Sequence, residues 1–122
     1  MDTKIWLDEP EDHDFPAAMD FLELIFPKTA AKQLTEKLRT SETITKKAKD
    51  VLRASRLALL PADNIHVKSN LDKIKNKKKL SPVLLIAGDP LIVADGYHRV
   101  CAIYYLSEDL DIPCRLVHPL ED

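Results

Sequence analysis

Glycine is scarce in this chain: only Gly88 and Gly96 occur among 122 residues. A Walker-type phosphate loop or a dinucleotide-binding Gly-x-Gly-x-x-Gly loop needs several glycines close together, so both are excluded. Cysteine is scarce as well. Cys101 and Cys114 are the only two, and without a secretion signal they are expected to stay reduced, as small core residues rather than a redox pair. No apolar run approaches the roughly 20 residues that a bilayer-spanning helix needs. The N-terminus is acidic and broken by prolines, unlike a signal peptide, so a cytoplasmic location with no membrane partner is expected. A charge excess is missing too. With 18 basic and 20 acidic residues the net charge is −2, which makes no global demand for nucleic acid or an anionic surface.

What is present suits an α/β (α+β) chain. The apolar fraction of 45% is ordinary for a globular protein, and a chain of this length buries roughly two thirds of its unfolded surface. The expectation is one domain over 1–122, made of an acidic arm (1–15), a helical block (16–56) and a core on a small mixed sheet (57–118).

In the arm, Asp2, Asp8, Glu9, Glu11, Asp12 and Asp14 surround one apolar anchor, Ile5-Trp6-Leu7, which is expected to pack on the body. Asp12-His13-Asp14 places two carboxylates beside an imidazole. That set could ligate a divalent metal, but an acidic loop with Asp14 or a neighbour capping the next helix accounts for it as well. Pro16 opens a helix whose apolar face runs through Ala17, Phe21, Leu22, Leu24, Ile25 and Phe26, with Pro27 ending it. Thr29 can cap a second helix carrying Ala30, Leu34 and Leu38. Ser41 or Thr43 can start a third carrying Ile44, Ala48, Val51 and Leu52. Helix packing is a sufficient account of this block.

Leu57 to Leu60 forms a short strand candidate, and His66 falls in a loop or a cap. Val67 to Lys79 has the spacing of a helix that ends in a lysine run, with Lys75, Lys77, Lys78 and Lys79 as its densest part. Cations suit the negative end of a helix dipole, so a solvated helix end explains the run; a patch that attracts polyanions is the sharper alternative. No aromatic residues interleave these lysines, so base stacking gains no support. Leu80–Ala87, Leu91–Ala94 and the segment around Cys114–Val117 read as strands.

The most informative stretch is Leu91 to Ala102. Four apolar residues suit a strand covered on both faces, and it stops at Asp95-Gly96. Gly96 permits an unusual φ and lacks the Cβ that would hinder a ligand. Val100, Ile103 and Tyr104 then recur at helical spacing, so a helix is expected from Tyr97. The amides of its first turn have no intrahelical acceptor, and partial positive charge collects there, so a phosphate can sit at such a turn. His98 and Arg99 occupy that turn, where basic side chains are mildly unfavourable without an anion. A capping Asp95 with a solvated His98 and Arg99 is the plainer reading.

Gly96-Tyr97-His98-Arg99-Val100-Cys101-Ala102 resembles the signature of the ParB/sulfiredoxin-like superfamily, which reads Gly-Glu-Arg-Arg-x-Arg-Ala in ParB-type domains and Gly-Cys-His-Arg-x-x-Ala in sulfiredoxins. Asp95 to Arg99 is nearer still to the Asp-Gly-His-His-Arg of free serine kinases in that superfamily. Ser81 to Ile86 and Ile112 to Val117 resemble its flanking strands, and the likeness covers roughly Leu57 to Val117, about half the chain.

The resemblance implies a nucleotide partner, ATP, ADP or CTP with Mg²⁺. Gly96, Tyr97, His98 and Arg99 would bind its phosphates, Asp95 would act as metal ligand, and Asp95 with His98 would be the catalytic pair of a small phosphotransferase or nucleotidase. The alternative is a non-catalytic regulatory or nucleic-acid-associated module of ParB type, with nucleic acid the less favoured partner. Two departures narrow the choice. Sulfiredoxin's catalytic cysteine falls at Tyr97, so sulfinic-acid reduction by that route is excluded. In ParB a centromere-binding helix-turn-helix follows this domain whereas this sequence stops, so specific DNA partitioning is not expected. No ligand set for a ParB-like nuclease is evident, and the kinase relatives' second carboxylate has no recognisable counterpart in the sequence.

Overall fold

Residues 5–119, the part of the chain that the computed structural model describes, form helices α1 (Asp14–Leu22), α2 (Lys28–Thr40), α3 (Ala48–Ser55), α4 (Ile65–Lys75) and α5 (Tyr97–Leu106). The strands are β1 (Ile44–Lys47), β2 (Val83–Ile86), β3 (Ile92–Asp95) and β4 (Asp111–Val117). They make one mixed sheet in the order β1-β4-β2-β3, in which β2 and β4 are parallel and the other two pairs antiparallel. The mixed α/β class expected from the sequence is the class observed.

Alternation along the central strands explains the layering. Val83 and Leu85 of β2, Val93 of β3 and Ile112 and Cys114 of β4 face one side, where α3 supplies Ala48 and Val51 and α5 supplies Val100 and Ile103. Leu84 and Ile86, Ala94 and Val117 face the other, against Phe15, Ala18 and Leu22 of α1 and Ala31, Leu34 and Leu38 of α2. Both faces of β2 are therefore dry, as its unbroken Val-Leu-Leu-Ile run requires. Outside the sandwich, α4 seats Val67 on Cys101 and Ala102 of α5. The Ile5-Trp6-Leu7 anchor packs as expected: Leu7 donates to the Leu80 carbonyl and Leu80 to that of Ile5, both at 2.8 Å, with Trp6 buried.

Arg115 is the charged residue of β4 that points into the α1/α2 face, and it is buried. It donates through Nη1 to the carbonyls of Leu38 (3.2 Å) and Arg39 (2.8 Å), and through Nε to Thr43 Oγ1 (3.2 Å). These carbonyls belong to the last turn of α2, where no intrahelical donor exists and the dipole favours a cation. A single guanidinium thus ties the helix end to the sheet.

Several boundaries differ from the sequence reading. The first helix stops at Leu22 rather than running to Pro27; Leu24 is 81% exposed in the turn that follows. Pro27, not Thr29, is the N-cap of α2. The expected third helix from Ser41 or Thr43 instead begins as β1, with Ile44 paired to Cys114, and becomes helical only at Ala48. Strand partners at long range overrode a weak local helix pattern, and the lysines of this edge discourage further strand addition. The residues from Leu57 to Leu60 form no strand; they are irregular, with the Ala58 and Leu60 carbonyls accepting from the Tyr97 and Tyr105 hydroxyls. The helix expected over Val67–Lys79 is Ile65–Lys75. Of the expected Leu80–Ala87 strand only Val83–Ile86 is regular, with Leu80 in an isolated bridge to Trp6. Asp2 and the acidic tail beyond Pro119 lie outside the described residues.

Candidate functional site

Gly96 joins β3 to α5 with φ of 112°, as the N-cap of the helix. An L-side chain would be strained there, and a Cβ would lie 2.4 Å from Val83 Cγ1 and 2.9 Å from Arg99 Nη2. The sequence reading kept that space for a ligand; the structure fills it with the side chains of Val83 and Arg99. The glycine is required by packing.

The strand leading into the turn is irregular. Leu85 pairs with Val93, but Leu84 pairs with Asp95, so the register shifts and Ala94 is left as the extra residue. A bulge of this kind re-aims the following side chain. Strict alternation would put Asp95 on the Val93 side; pairing with Leu84 puts it on the α1 side. There it meets Arg99, one helical turn on, whose Nη2 donates to Asp95 Oδ2 at 3.0 Å and to the Pro82 carbonyl at 3.4 Å. Asp14, the first residue of α1, lies 3.9 Å from Arg99 Nη1 and is only 2% exposed. Its Oδ2 accepts the Glu11 amide at 2.9 Å. Burial holds the Asp95 carboxyl above the ordinary carboxylate range, Arg99 pulls it back down, and Asp14 pushes it up again. The result is a carboxylate pair bridged by one guanidinium. The Nε of Arg99 is buried and has no hydrogen-bond partner among the described residues.

His98 belongs to a different neighbourhood. Its ring centroid lies 4.9 Å from that of His66 and 5.5 Å from that of Tyr97. His66 is in the first turn of α4, so two helix N-termini meet where the imidazoles meet. In α4 the Asn64 Oδ1 accepts the His66 and Val67 amides at 3.0 and 3.1 Å; α5 starts on glycine and has no side-chain cap. Partial burial lowers the pKa of His98, and the nearby His66 and Arg99 lower it further. The Tyr97 hydroxyl donates to the Ala58 carbonyl at 2.6 Å, which ties the turn to the segment before α4.

Asp95, Gly96, Tyr97, His98 and Arg99 are therefore contiguous, but the two basic residues are not aimed at one point. His98 lies against His66, and Arg99 is held by Asp95 and Asp14. Two participants escaped sequence reasoning. Asp14 was visible as an acidic residue at a helix start, yet nothing local joins it to a strand end so far along the chain. His66 was visible only as a lone histidine in a loop or cap.

Cys101 and Cys114 are buried, and burial pushes the Cys114 thiol up to about 11. His13 Nε2 lies 3.6 Å from Asp14 Oδ1 and 3.7 Å from Glu11 Oε1. Among the described residues no three His, Cys, Asp or Glu side chains converge as a metal site. Asp95, already bound to Arg99, does not by itself fit a protein-held Mg²⁺; that ion usually binds through one or two carboxylates together with substrate phosphates and water. Comparison with known proteins finds no matching family model, curated protein or solved structure.

Proposed function

We propose that this chain is a nucleotide-binding domain that takes the phosphates of ATP, ADP or CTP at the start of α5. The observation that carries the reading is the meeting of His66 and His98, 4.9 Å apart, where α4 and α5 both begin. The dipole of α5 places partial positive charge on first-turn amides that have no side-chain cap, and the two imidazoles beside them supply ring N–H donors for an anion. A bound phosphate would favour the imidazolium form of His98, which charge-assists its hydrogen bonds. Arg99 acts by a different route in this reading: clamped by Asp95 and Asp14, it fixes the turn. Mg²⁺ would arrive on the nucleotide's phosphates, with Asp95 the carboxylate nearest the turn. The likeness of residues 95–102 to the ParB/sulfiredoxin-like signature, nearest to its free serine kinase form, supports the same ligand class.

A catalytic version, phosphotransferase or nucleotidase, is favoured by one further feature. Asp95, which burial holds above the ordinary carboxylate range, is the carboxylate at the motif that would accept a hydroxyl proton. A regulatory module without turnover is the competing version. Thermal-shift titration with each nucleotide and Mg²⁺ tests binding, and phosphate release on longer incubation separates the two versions. A stabilising shift in the wild type that is lost in the His66→Gln/His98→Gln double variant is the expected result. The absence of any shift, or an undiminished shift in that variant, overturns the reading.

A further inference from the structure

The lysines on and just after α4 are the densest group of basic residues in this chain, and unlike many of the others they are paired to no carboxylate among the described residues. Arg39, Lys47, Lys49, Arg53, Arg56 and Arg99 each stand beside a carboxylate. Lys68, Lys73, Lys75, Lys77, Lys78 and Lys79 are all exposed, and none has an ion-pair partner among the described residues. Asp72 is the only acid from residue 65 to residue 79, so six lysines leave this short segment at +5 in a chain of net charge −2. A helix dipole accounts for one or two cations in a last turn, not for a run that continues past the helix end.

The geometry of the end concentrates them. Lys77 adopts φ of 62°, in the left-handed region where glycine is usual. The Lys77 amide donates to the Ile74 carbonyl at 3.0 Å and the Lys78 amide to that of Lys73 at 2.8 Å, which reverses the chain over the helix end. The reversal brings Lys78 back beside Lys68 and Lys73. These three, with Ser69, Asn76 and the opposing Asp72, line a shallow groove of about 510 Å³ along the outer face of α4.

We propose that this groove and the lysines around it are a docking surface for the phosphate backbone of a nucleic-acid duplex. The partner must be a polyanion, because a single small anion has no use for six separated ammonium groups. It is read as a duplex rather than a single strand because, among the described residues, no Phe, Tyr or Trp lines the groove to stack a base. It is read as a rod rather than an anionic bilayer because the surface is concave and Ile65 is the one large apolar side chain lining it; a membrane-binding face would offer more to insert. Binding of this kind is independent of base sequence, since ammonium groups on phosphates carry no sequence information. It does not depend on nucleotide binding at α5.

The test is fluorescence anisotropy of two unrelated mixed-sequence DNA duplexes with the full chain over a range of salt. The expected result is equal affinity for both, weakening with salt at a log–log slope of about −4 if four lysines meet phosphates. In the Lys68→Gln/Lys73→Gln/Lys78→Gln/Lys79→Gln variant affinity falls at least about tenfold and the slope shrinks toward zero, while arginine at the same four positions keeps both. Unaltered duplex binding in the glutamine variant overturns the proposal. So does binding to phosphatidylserine vesicles with none to duplex.

Discussion

Asp95 Oδ2 lies 3.0 Å from Arg99 Nη2 across a single glycine-started helical turn, and Asp14 approaches the same guanidinium from another helix. The sequence reading cast Arg99 as a phosphate-binding side chain or, more plainly, as a solvated one. With its side chain only 16% exposed and one carboxylate on either side, it is instead a structural cation. Arg99→Ala should destabilise the fold by about 3 kcal/mol, because two carboxylates lose their compensating charge. Urea denaturation measures this. A loss below about 1 kcal/mol, the ordinary value of an exposed ion pair, would place Arg99 in solvent after all.

Gly96→Ala tests the packing role of the turn. The substituted residue keeps φ near 112° at a cost of about 1–2 kcal/mol and also forces Val83 or Arg99 aside, for about 1–3 kcal/mol more. Loss of several kcal/mol by thermal or chemical denaturation is expected. A variant as stable as wild type would mean that the space beside Gly96 is open, as the sequence reading supposed.

How much of this was legible beforehand follows from the range of each interaction. The strand–glycine–helix unit from Ile92 to Leu106 was legible, because apolar run, glycine and helical spacing are all local signals. So were β2 and β4 and the anchoring of Trp6. The β1 strand was not: Ile44-Thr45-Lys46-Lys47 is strand only because Cys114 and its neighbours pair with it. The Leu57–Leu60 segment has strand-like residues but pairs with no strand, and the Tyr97 and Tyr105 hydroxyls take its Ala58 and Leu60 carbonyls. The site divides in the same way. Asp95 to Arg99 could be read in sequence, whereas the one-residue register shift that turns Asp95 toward Asp14, and the crossing that sets His66 on His98, are properties of tertiary structure.

Arg115 gives a second stability prediction away from the turn. Arg115→Met keeps much of the buried apolar contact and removes the guanidinium donors to Thr43 and to the Leu38 and Arg39 carbonyls, of which Leu38 still accepts from Ser41 Oγ at 3.0 Å. Hydrogen bonds from a charged donor contribute about 1.5–3 kcal/mol each, and the carbonyls they leave at the end of α2 are partly able to find water. A net loss of about 2–4 kcal/mol is expected, with hydrogen exchange speeding up first in the last turn of α2. Uniform exchange across the chain would show that the guanidinium does not hold that helix end.

A chain with two glycines must use other residues where glycine is cheapest. Arg56 ends α3 at φ of 60°, and Lys77 follows α4 at φ of 62°. Lys77→Gly should relieve strain and raise stability by about 0.5–1 kcal/mol, since the helix-end hydrogen bonds involve only the backbone. Arg56→Gly should gain less, because Arg56 also pairs with Asp89. Melting temperatures of the two variants check the order. A lower melting temperature for Lys77→Gly would mean that the lysine side chain stabilises the turn more than its backbone strains it.

The His66–His98 contact makes stability depend on pH in a defined direction. Burial, with the neighbouring His66 and Arg99, lowers the pKa of His98 in the folded chain. The unfolded chain therefore binds a proton more readily, near its ordinary value of about 6.5, and stability rises with pH wherever the unfolded state holds more protons. The contribution is fully present above that value and is lost as pH falls through it toward the lower folded value. In His98→Gln this part of the pH dependence should vanish, so the wild type loses ground against the variant between neutral and mildly acidic pH and not above. An anion at the start of α5 reverses the sign, because it favours the imidazolium: with saturating inorganic phosphate the acid loss should shrink in the wild type and stay absent in the variant. Identical pH profiles for the two proteins would show that His98 is solvated, and that the meeting of two helix starts holds no charge-sensitive site.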